Sequence, residues 1–316
     1  MRLRLPAKAA LVSAVVLVLL SCAGSPPPAP PPDVTAPVDW TTILRLSEAY
    51  HIMRHQTAAA VTAALGGDYD SFEVVDLPAT KNRYMIGTQD AAHRQEIWVR
   101  GTANLKNALY DVRYAQRMNE KLGVKLHLGF EEMALAVYQD ILPRLHKDYD
   151  LVIFGHSLGA AEAVILAMLL DTDGYRIAQV YASGQPRVTD AAGEARFEHL
   201  PILRISNPDD PVPSLPPRDI PSPRDPYMHI GNVVILLDGP YYCMLGEDRS
   251  DEALAGSFWQ SLSAEGLIQP VEDHLMPAYI AKERPKLSGA IQVPYADRAA
   301  HMTRKPARTK HAVSGG

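Results

Sequence analysis

The chain is poor in cysteine and carries no excess of positive charge, and both shortages exclude classes of protein. Its 316 residues include only two cysteines, Cys22 and Cys243, and the formal net charge is -5 at pH 7. Without an overall basic field, nucleic acid is a poor candidate partner. The composition, 47% hydrophobic and 21% charged, is typical of a packed globular protein.

The N-terminal apolar run is too short to span a bilayer comfortably. A positive leader, "MRLRLPAK", precedes "AALVSAVVLVLL", and the run ends in "LLSCAG". This pattern resembles the lipobox of bacterial lipoprotein precursors, which implies a signal peptide over residues 1–21 and lipid on Cys22. Ala23 and Gly24 resemble the pattern of an outer-membrane destination in the bacterial cell envelope. A plain secretory signal or an N-terminal membrane anchor is the alternative.

A lipidated Cys22 would leave Cys243 as the single thiol, so no intramolecular disulfide is expected and Cys243 is predicted to be a buried small hydrophobe. Residues 22–40, "CAGSPPPAPPPDVTAPVDW", are rich in proline, which predicts a semi-rigid tether rather than a helix or a central strand. Together these features predict a membrane partner through Cys22.

Metal-binding signatures are also missing. His51 and His55 have the i, i+4 spacing of a ligand pair, but no carboxylate motif of the HExxH kind accompanies them. They are therefore interpreted as surface or packing residues, and no metal and no cofactor are expected.

Between residues 41 and 285 strand-like and helix-like segments alternate. Helices are predicted over residues 41–65, over residues 106–120 and from "LGFEEM" onward, with β-rich runs such as "RQEIWV" and "DLVIF" between them. This alternation predicts an α/β fold with a mostly parallel central sheet and helices on both faces. Residues 286–316 are basic and aperiodic, which predicts a disordered tail.

The segment "DLVIFGHSLGAAEAVI" holds a G-x-S-x-G motif between a predicted strand and a predicted helix. A sharp strand-to-helix turn leaves no room for side chains at Gly155 and Gly159, so Ser157 is a candidate nucleophile, with His156 inside the same turn. A serine needs a histidine base oriented by a carboxylate, in the chain order Ser, Asp, His. Asp209 or Asp210, followed by His229 or His274, could complete this set.

Seven segments occur in the order found in class 3 (fungal-type) lipases, a family of α/β-hydrolases. They are "VRGTANLKNALYDV", "LHLGFEEM", "VIFGHSLGAAEAV", "YASGQPRVTD", "SNPDDPVPSLPP", "YMHIG" and "EDHLMPAYI". The resemblance implies carboxylic-ester hydrolysis of a lipase or esterase type, with an ester or lipid as substrate. It assigns Ser157 as nucleophile, Asp210 as triad aspartate and His274 as base.

The same resemblance implies roles for neighbouring residues. Thr102 and the N–H of Leu158 would form the oxyanion hole, and His229 would be a second histidine beside the active site. His156 is expected to pack or hydrogen-bond below the site, and Asp209 to face away from it. Residues 103–125 occupy the place of the lid, but they are charged and only weakly amphipathic, so marked interfacial activation is not expected.

Other functions stay open on the sequence alone. A phospholipase A1, an acyltransferase or a feruloyl-type esterase would use the same triad. A non-catalytic envelope lipoprotein with a hydrolase fold is an alternative of a different class. The acyl-chain length, the natural substrate and the oligomeric state are not determined by these motifs.

Overall fold

The computed structural model describes residues 34–101, 115–218, 225–246 and 269–303. The predicted signal peptide, Cys22, most of the tether, Thr102 and most of the predicted lid lie outside the described residues. None of the described helices is long and apolar enough to cross a membrane.

A single large sheet organises the described chain. Its strands are β1 (Ser71–Leu77), β2 (Asn82–Gln89), β3 (Arg94–Val99), β6 (Asp150–His156), β7 (Arg176–Ser183), β8 (Ile202–Ser206), β9 (Asn232–Leu236), β10 (Tyr241–Leu245) and β11 (Ile291–Gln292). They lie in the order β1-β2-β3-β6-β7-β8-β9-β10-β11. The central strands from β3 to β9 pair in parallel, whereas β1, β2 and β10 join antiparallel neighbours. The mostly parallel sheet agrees with the prediction.

Helices cover both faces of the sheet, as predicted. They are α1 (Trp40–His55), α2 (Ala58–Leu65), α3 (Leu128–Ile141), α4 (Leu158–Thr172), α5 (Ala191–Phe197), α6 (Gln269–His274) and α7 (Met276–Glu283). Because side chains alternate along a strand, β3 places Ile97 in the core with α3 and α4 and Trp98 in the core with α1 and α7. Helix α4 is buried from Leu158 to Leu170, which explains its nearly continuous apolar sequence.

Two helix predictions differ from the structure. The predicted helix over residues 41–65 is interrupted at Gln56, and Thr57 caps the N-terminus of α2 with its side chain. The end of the predicted helix over residues 106–120 is instead strand β4 (Gln116–Asn119), paired with β5 (Val124–His127). Gly123 adopts a φ of 65° and donates its N–H to the carbonyl of Asn119 at 2.7 Å, which closes a hairpin.

The folded body extends beyond both predicted boundaries. At the N-terminal side, the N–H of Val34 bonds the carbonyl of Met244 at 3.0 Å, and Trp40 is buried as the first residue of α1. At the C-terminal side, the prediction of disorder fails for residues 286–303. Strand β11 pairs in parallel with β10, and Tyr295 packs in a core cluster that includes Cys243. Sequence periodicity misses this segment because a two-residue strand is stabilised by the edge it joins. Residues 304–316 lie outside the described residues.

Candidate active site

Ser157 lies in the turn between β6 and α4, at the carboxyl end of the parallel strands. Its backbone has a φ of 62° and a ψ of -130°, a conformation that residues other than glycine rarely adopt. A Cβ at Gly155 would lie 2.2 Å from the carbonyl oxygen of Gly159, and a Cβ at Gly159 would lie 2.1 Å from that of Val99. Glycine is therefore required on both sides of the serine, and the turn has the form expected of a nucleophile elbow.

Three predicted residues form a continuous hydrogen-bonded chain. Ser157 Oγ lies 2.7 Å from Nε2 of His274, and Nδ1 of the same ring lies 2.7 Å from Oδ2 of Asp210. All three side chains are buried. The histidine can therefore accept the serine proton while the carboxylate fixes the orientation of its ring.

Asp210 is held by groups besides the histidine. It follows β8, and its Oδ1 accepts the N–H of Val212 at 2.9 Å. Its Oδ2 also accepts the hydroxyl of Tyr279 in α7 at 2.5 Å. Gly184 lies against this carboxylate, because a Cβ there would be 3.1 Å from Oδ2 and 3.0 Å from the Tyr279 hydroxyl.

Sequence reasoning missed Tyr279 and Gly184 as parts of the site. The only signal was their position inside two of the recognised segments, "EDHLMPAYI" and "YASGQPRVTD". Burial raises the pKa of Tyr279 well above its ordinary value, and the charge of Asp210 acts in the same direction. The tyrosine thus stays protonated and remains a donor to the carboxylate.

His156 packs against the ring of His274, the predicted base. Its ring stacks on that of His274 with centroids 4.9 Å apart, and its Nδ1 lies 3.3 Å from Oγ of Ser183. Burial lowers the pKa of His156 well below its usual range, and the neighbouring His274 adds to this effect. A neutral ring there allows the base to take a proton without a second buried cation beneath it.

Of the two residues predicted to form the oxyanion hole, the structure describes only Leu158. Leu158 is buried in the first turn of α4, where N–H groups have no intrahelical acceptor. Gly101 has a φ of +69°, and a Cβ there would lie 2.6 Å from the N of Gly159 and 3.1 Å from the carbonyl carbon of Leu158. The end of the β3 loop therefore abuts the start of α4, but Thr102 itself lies outside the described residues.

The competing candidates do not join the triad. Asp209 is partly exposed, with Oδ2 4.0 Å from Nζ of Lys282, and Nε2 of His229 lies 2.9 Å from the carbonyl of Pro213. The rings of His51 and His55 pack on each other, and within the described part of the chain no three His, Cys, Asp or Glu residues are grouped to hold a metal ion.

A small cleft opens beside Ser157. Its lining includes the triad serine with its two neighbours, two arginines and two apolar residues: His156, Ser157, Leu158, Arg54, Arg100, Leu275 and Met276. A substrate carbonyl placed in this cleft would lie between the serine and the first turn of α4. The arrangement is suited to nucleophilic acyl transfer.

Comparison with known proteins agrees with this geometry. Residues 97–220 match the class 3 lipase family model. The chain is 35% identical over 155 residues to the secreted mono- and diacylglycerol lipase A of Penicillium cyclopium, covering 46% of this chain and 50% of the relative. It is 30% identical over 141 residues to the secreted mono- and diacylglycerol lipase 1 of Fusarium solani, covering 42% of each chain. The matches thus span half or less of these curated relatives.

Solved structures establish the fold. The crystal structure of a lipase from Rhizopus microsporus var. chinensis superposes with a TM-score of 0.56 at 22% identity, over 72% of this chain and 87% of that one. This likeness confirms the predicted α/β-hydrolase fold. The family match includes Ser157 and Asp210, whereas His274 lies beyond it and is brought to the site by the fold.

Proposed function

We infer that this chain is a class 3 lipase-like serine hydrolase that cleaves carboxylic esters through an acyl-enzyme on Ser157. The observation that carries the proposal is the unbroken hydrogen-bonded chain from the serine through His274 to Asp210, at 2.7 Å for each contact. The class 3 lipase match over residues 97–220 supports the same chemistry.

The proposed reaction has two steps. Ser157 Oγ attacks the ester carbonyl carbon as Nε2 of His274 takes its proton, and the protonated ring then donates that proton to the departing alkoxide. Water next attacks the acyl-enzyme with His274 again as base, releasing the acid and restoring the serine. The N–H of Leu158 and the proposed Thr102 donor would stabilise the oxyanion in both steps.

Turnover of p-nitrophenyl butyrate by the purified chain tests the proposal. We expect Ser157→Ala to lower kcat by about 10⁴-fold or more, because the nucleophile is lost. Ser71→Ala, which removes a hydroxyl from an exposed position at the start of β1, is the matched control and should keep full activity. Equal rates for wild type and Ser157→Ala would overturn the proposal, and rates no higher than uncatalysed hydrolysis in both would favour a non-catalytic envelope protein.

We propose an acylglycerol lipid as the first substrate to assay, because the matched relatives from Penicillium and Fusarium are named mono- and diacylglycerol lipases. A series of p-nitrophenyl esters from acetate to palmitate separates an esterase from a lipase. Release of the sn-1 fatty acid from phosphatidylglycerol would identify a phospholipase A1, and transfer to an added alcohol in preference to water would identify an acyltransferase.

We further propose that the mature protein is a bacterial lipoprotein anchored in the cell envelope, at the outer membrane, through lipid on Cys22. The proposal rests on the sequence around "LLSCAG" and the proline-rich tether after it. Metabolic labelling with radioactive palmitate should mark the wild-type chain and not Cys22→Ser, and only the wild type should sediment with outer-membrane vesicles. Cys243→Ser is the matched control, since this thiol is buried in β10. Equal labelling of wild type and Cys22→Ser would exclude the anchor.

A further inference from the structure

Two arginines line the cleft that contains the proposed nucleophile. Arg54 lies in the last turn of α1, and Arg100 follows the end of β3. Both side chains are half-buried, and both line the cleft together with Ser157 and Leu158. Two cationic side chains therefore lie where a substrate would bind.

Neither arginine forms an ion pair with a carboxylate in the described part of the chain. Other arginines of the described residues do form such pairs, among them Arg45, Arg83, Arg117, Arg144, Arg176 and Arg284. Asp76, whose charge acts on Arg100, is occupied by Arg83 through two contacts of 2.7 and 2.8 Å. Arg100 instead donates to two neutral acceptors, the carbonyls of Lys81 and Gly101.

The charges of the two guanidinium groups act on neighbouring groups, and Asp76 opposes only part of this effect at Arg100. Burial lowers the pKa of Arg100, and the charges of Arg83 and Arg54 contribute in the same direction. The charge of Arg54 also contributes to the low pKa of His156 beneath the base, after burial and His274. Two coupled guanidinium groups without an anion are costly, and a planar guanidinium binds phosphate or carboxylate through paired hydrogen bonds.

The cleft lining also includes two apolar residues that directly follow the proposed base. Leu275 is 41% exposed directly after the proposed base, and Met276 is the first residue of α7. An exposed leucine beside the serine offers an apolar contact for an acyl chain. The cleft thus presents cationic side chains in addition to an apolar contact. This combination suits an ester with an acyl chain and an anionic headgroup better than an ester with a neutral headgroup.

We propose that Arg54 and Arg100 form an anion subsite beside Ser157, which binds a phosphate or carboxylate group on the alcohol part of the ester substrate. The inference rests on the proposed ester hydrolysis and names its substrate class, an acyl ester with an anionic headgroup. The acyl chain then lies against Leu275 and Met276, and the reaction releases a fatty acid and an anionic alcohol.

Water-soluble butyryl esters test the subsite without the influence of a lipid surface. Monobutyrin is neutral, the butyryl ester of glycerol 3-phosphate adds a phosphate, and the butyryl ester of glyceric acid adds a carboxylate. We expect the purified full chain to prefer an anionic ester by about tenfold or more in kcat/KM, mainly through a lower KM. Preference for either anion supports the subsite, and the anion that ranks first identifies the headgroup chemistry.

Substitutions of Arg54 test whether this residue causes the preference for anionic esters. We expect Arg54→Gln to reduce the ratio of kcat/KM between the anionic ester and monobutyrin to near one, and Arg54→Lys to retain part of it. Arg94→Gln, at an exposed position at the start of β3, is the matched control and should keep the ratio of the wild type. Inorganic phosphate should inhibit monobutyrin hydrolysis competitively in the wild type, which gives a readout that does not depend on a stable variant.

The outcomes separate the two proposals. If the wild type hydrolyses none of the three esters, the proposed function fails. If it hydrolyses monobutyrin and an anionic ester equally well and phosphate does not inhibit, only the anion subsite is overturned. A preference that persists unchanged in Arg54→Gln also overturns it.

Discussion

At Asp210 a single carboxylate oxygen receives two donors, Nδ1 of His274 at 2.7 Å and the hydroxyl of Tyr279 at 2.5 Å. Two donors on one oxygen fix the position of the carboxylate more firmly than the histidine could alone. The tyrosine does not itself line the cleft, and its ring packs edge-on against that of His156. We therefore expect it to act as a positioning residue through Asp210. Its distance from the serine in the sequence conceals this role.

Tyr279→Phe tests that role. We expect kcat for p-nitrophenyl butyrate to fall by about tenfold, because a hydrogen bond to a charged group contributes roughly 1.5–3 kcal/mol. KM should change little, since the ring stays in place. Tyr175→Phe also removes a hydroxyl from a buried tyrosine, away from the triad, and should keep the wild-type kcat. Equal kcat values for the two variants would show that the bond to Asp210 does not matter.

Glu162 is a second residue whose environment decides its chemistry. It lies fully buried in α4, bonded to the amide of Asn82, and burial raises its pKa to about 8. The folded state therefore holds a proton that the unfolded state releases above its ordinary pKa of 4.5. Stability from this group is fully present below that value and is lost as pH rises to about 8.

Glu162→Gln should remove this pH dependence. Relative to the wild type, we expect the free energy of unfolding of the variant to rise by about 1.4 kcal/mol per pH unit between pH 5 and about 8. Urea denaturation at several pH values measures the difference. Glu120→Gln, at an exposed position, is the control and should show no such trend. A constant difference between the Glu162→Gln variant and the wild type would contradict the expectation.

Strand β6, the turn and helix α4 act as one element that presents the serine. The backbone at Ser157 has a φ of 62°, which is sustained because Gly155 and Gly159 allow the strand, the helix and β3 to approach closely. A fully buried helix and a central strand hold the turn from both sides. The backbone geometry of Ser157 is therefore a property of the element rather than of the serine alone.

Gly155→Ala tests this element. A Cβ at 2.2 Å from a backbone oxygen cannot be accommodated by a side-chain movement, so we expect a loss of about 3 kcal/mol in the free energy of unfolding. Gly67→Ala is the control, because a Cβ there meets no atom within 4 Å, and its effect should stay below about 1 kcal/mol. Thermal unfolding followed by circular dichroism compares the two. Equal melting temperatures would exclude the proposed steric requirement.

At the scale of the whole molecule, the folded body is longer at both ends than the predicted domain. Residues 286–303 belong to the fold, since β11 pairs with β10 and Nζ of Lys286 bonds the carbonyls of Leu237 and Gly239. The N–H of Val34 bonds the carbonyl of Met244 near the same edge of the sheet. Both ends of the folded body thus cover the strand that carries Cys243.

Truncation tests the C-terminal boundary. A chain that ends at residue 285 loses β11 and buried Tyr295, so we expect its Tm to fall by about 5 °C or more. A chain that ends at residue 303 keeps these contacts and should match the full chain. Differential scanning calorimetry distinguishes the three proteins. If truncation at residue 285 left the Tm unchanged, the predicted domain end at residue 285 would be supported instead.

Local patterns were sufficient for the features that depend on neighbours in the chain. The strand–turn–helix around Ser157 was predictable because apolar runs, glycines and a serine within a few residues already restrict the backbone. The order of the segments that carry Asp210 and His274 pointed to the triad through a resemblance. The two-face coverage of the sheet followed from the alternation of strands and helices.

Contacts between distant segments were decided only by tertiary packing. His274 lies 117 residues from Ser157, and Tyr279 lies 69 residues from Asp210, so no periodicity links them. The pairing of a two-residue strand with β10, the close approach of Gly184 to Asp210 and the joint lining of one cleft by Arg54 and Arg100 arise in the same way. Hydrogen bonds, steric contact and electrostatic fields depend on distance in space, whereas the sequence pattern records only distance along the chain.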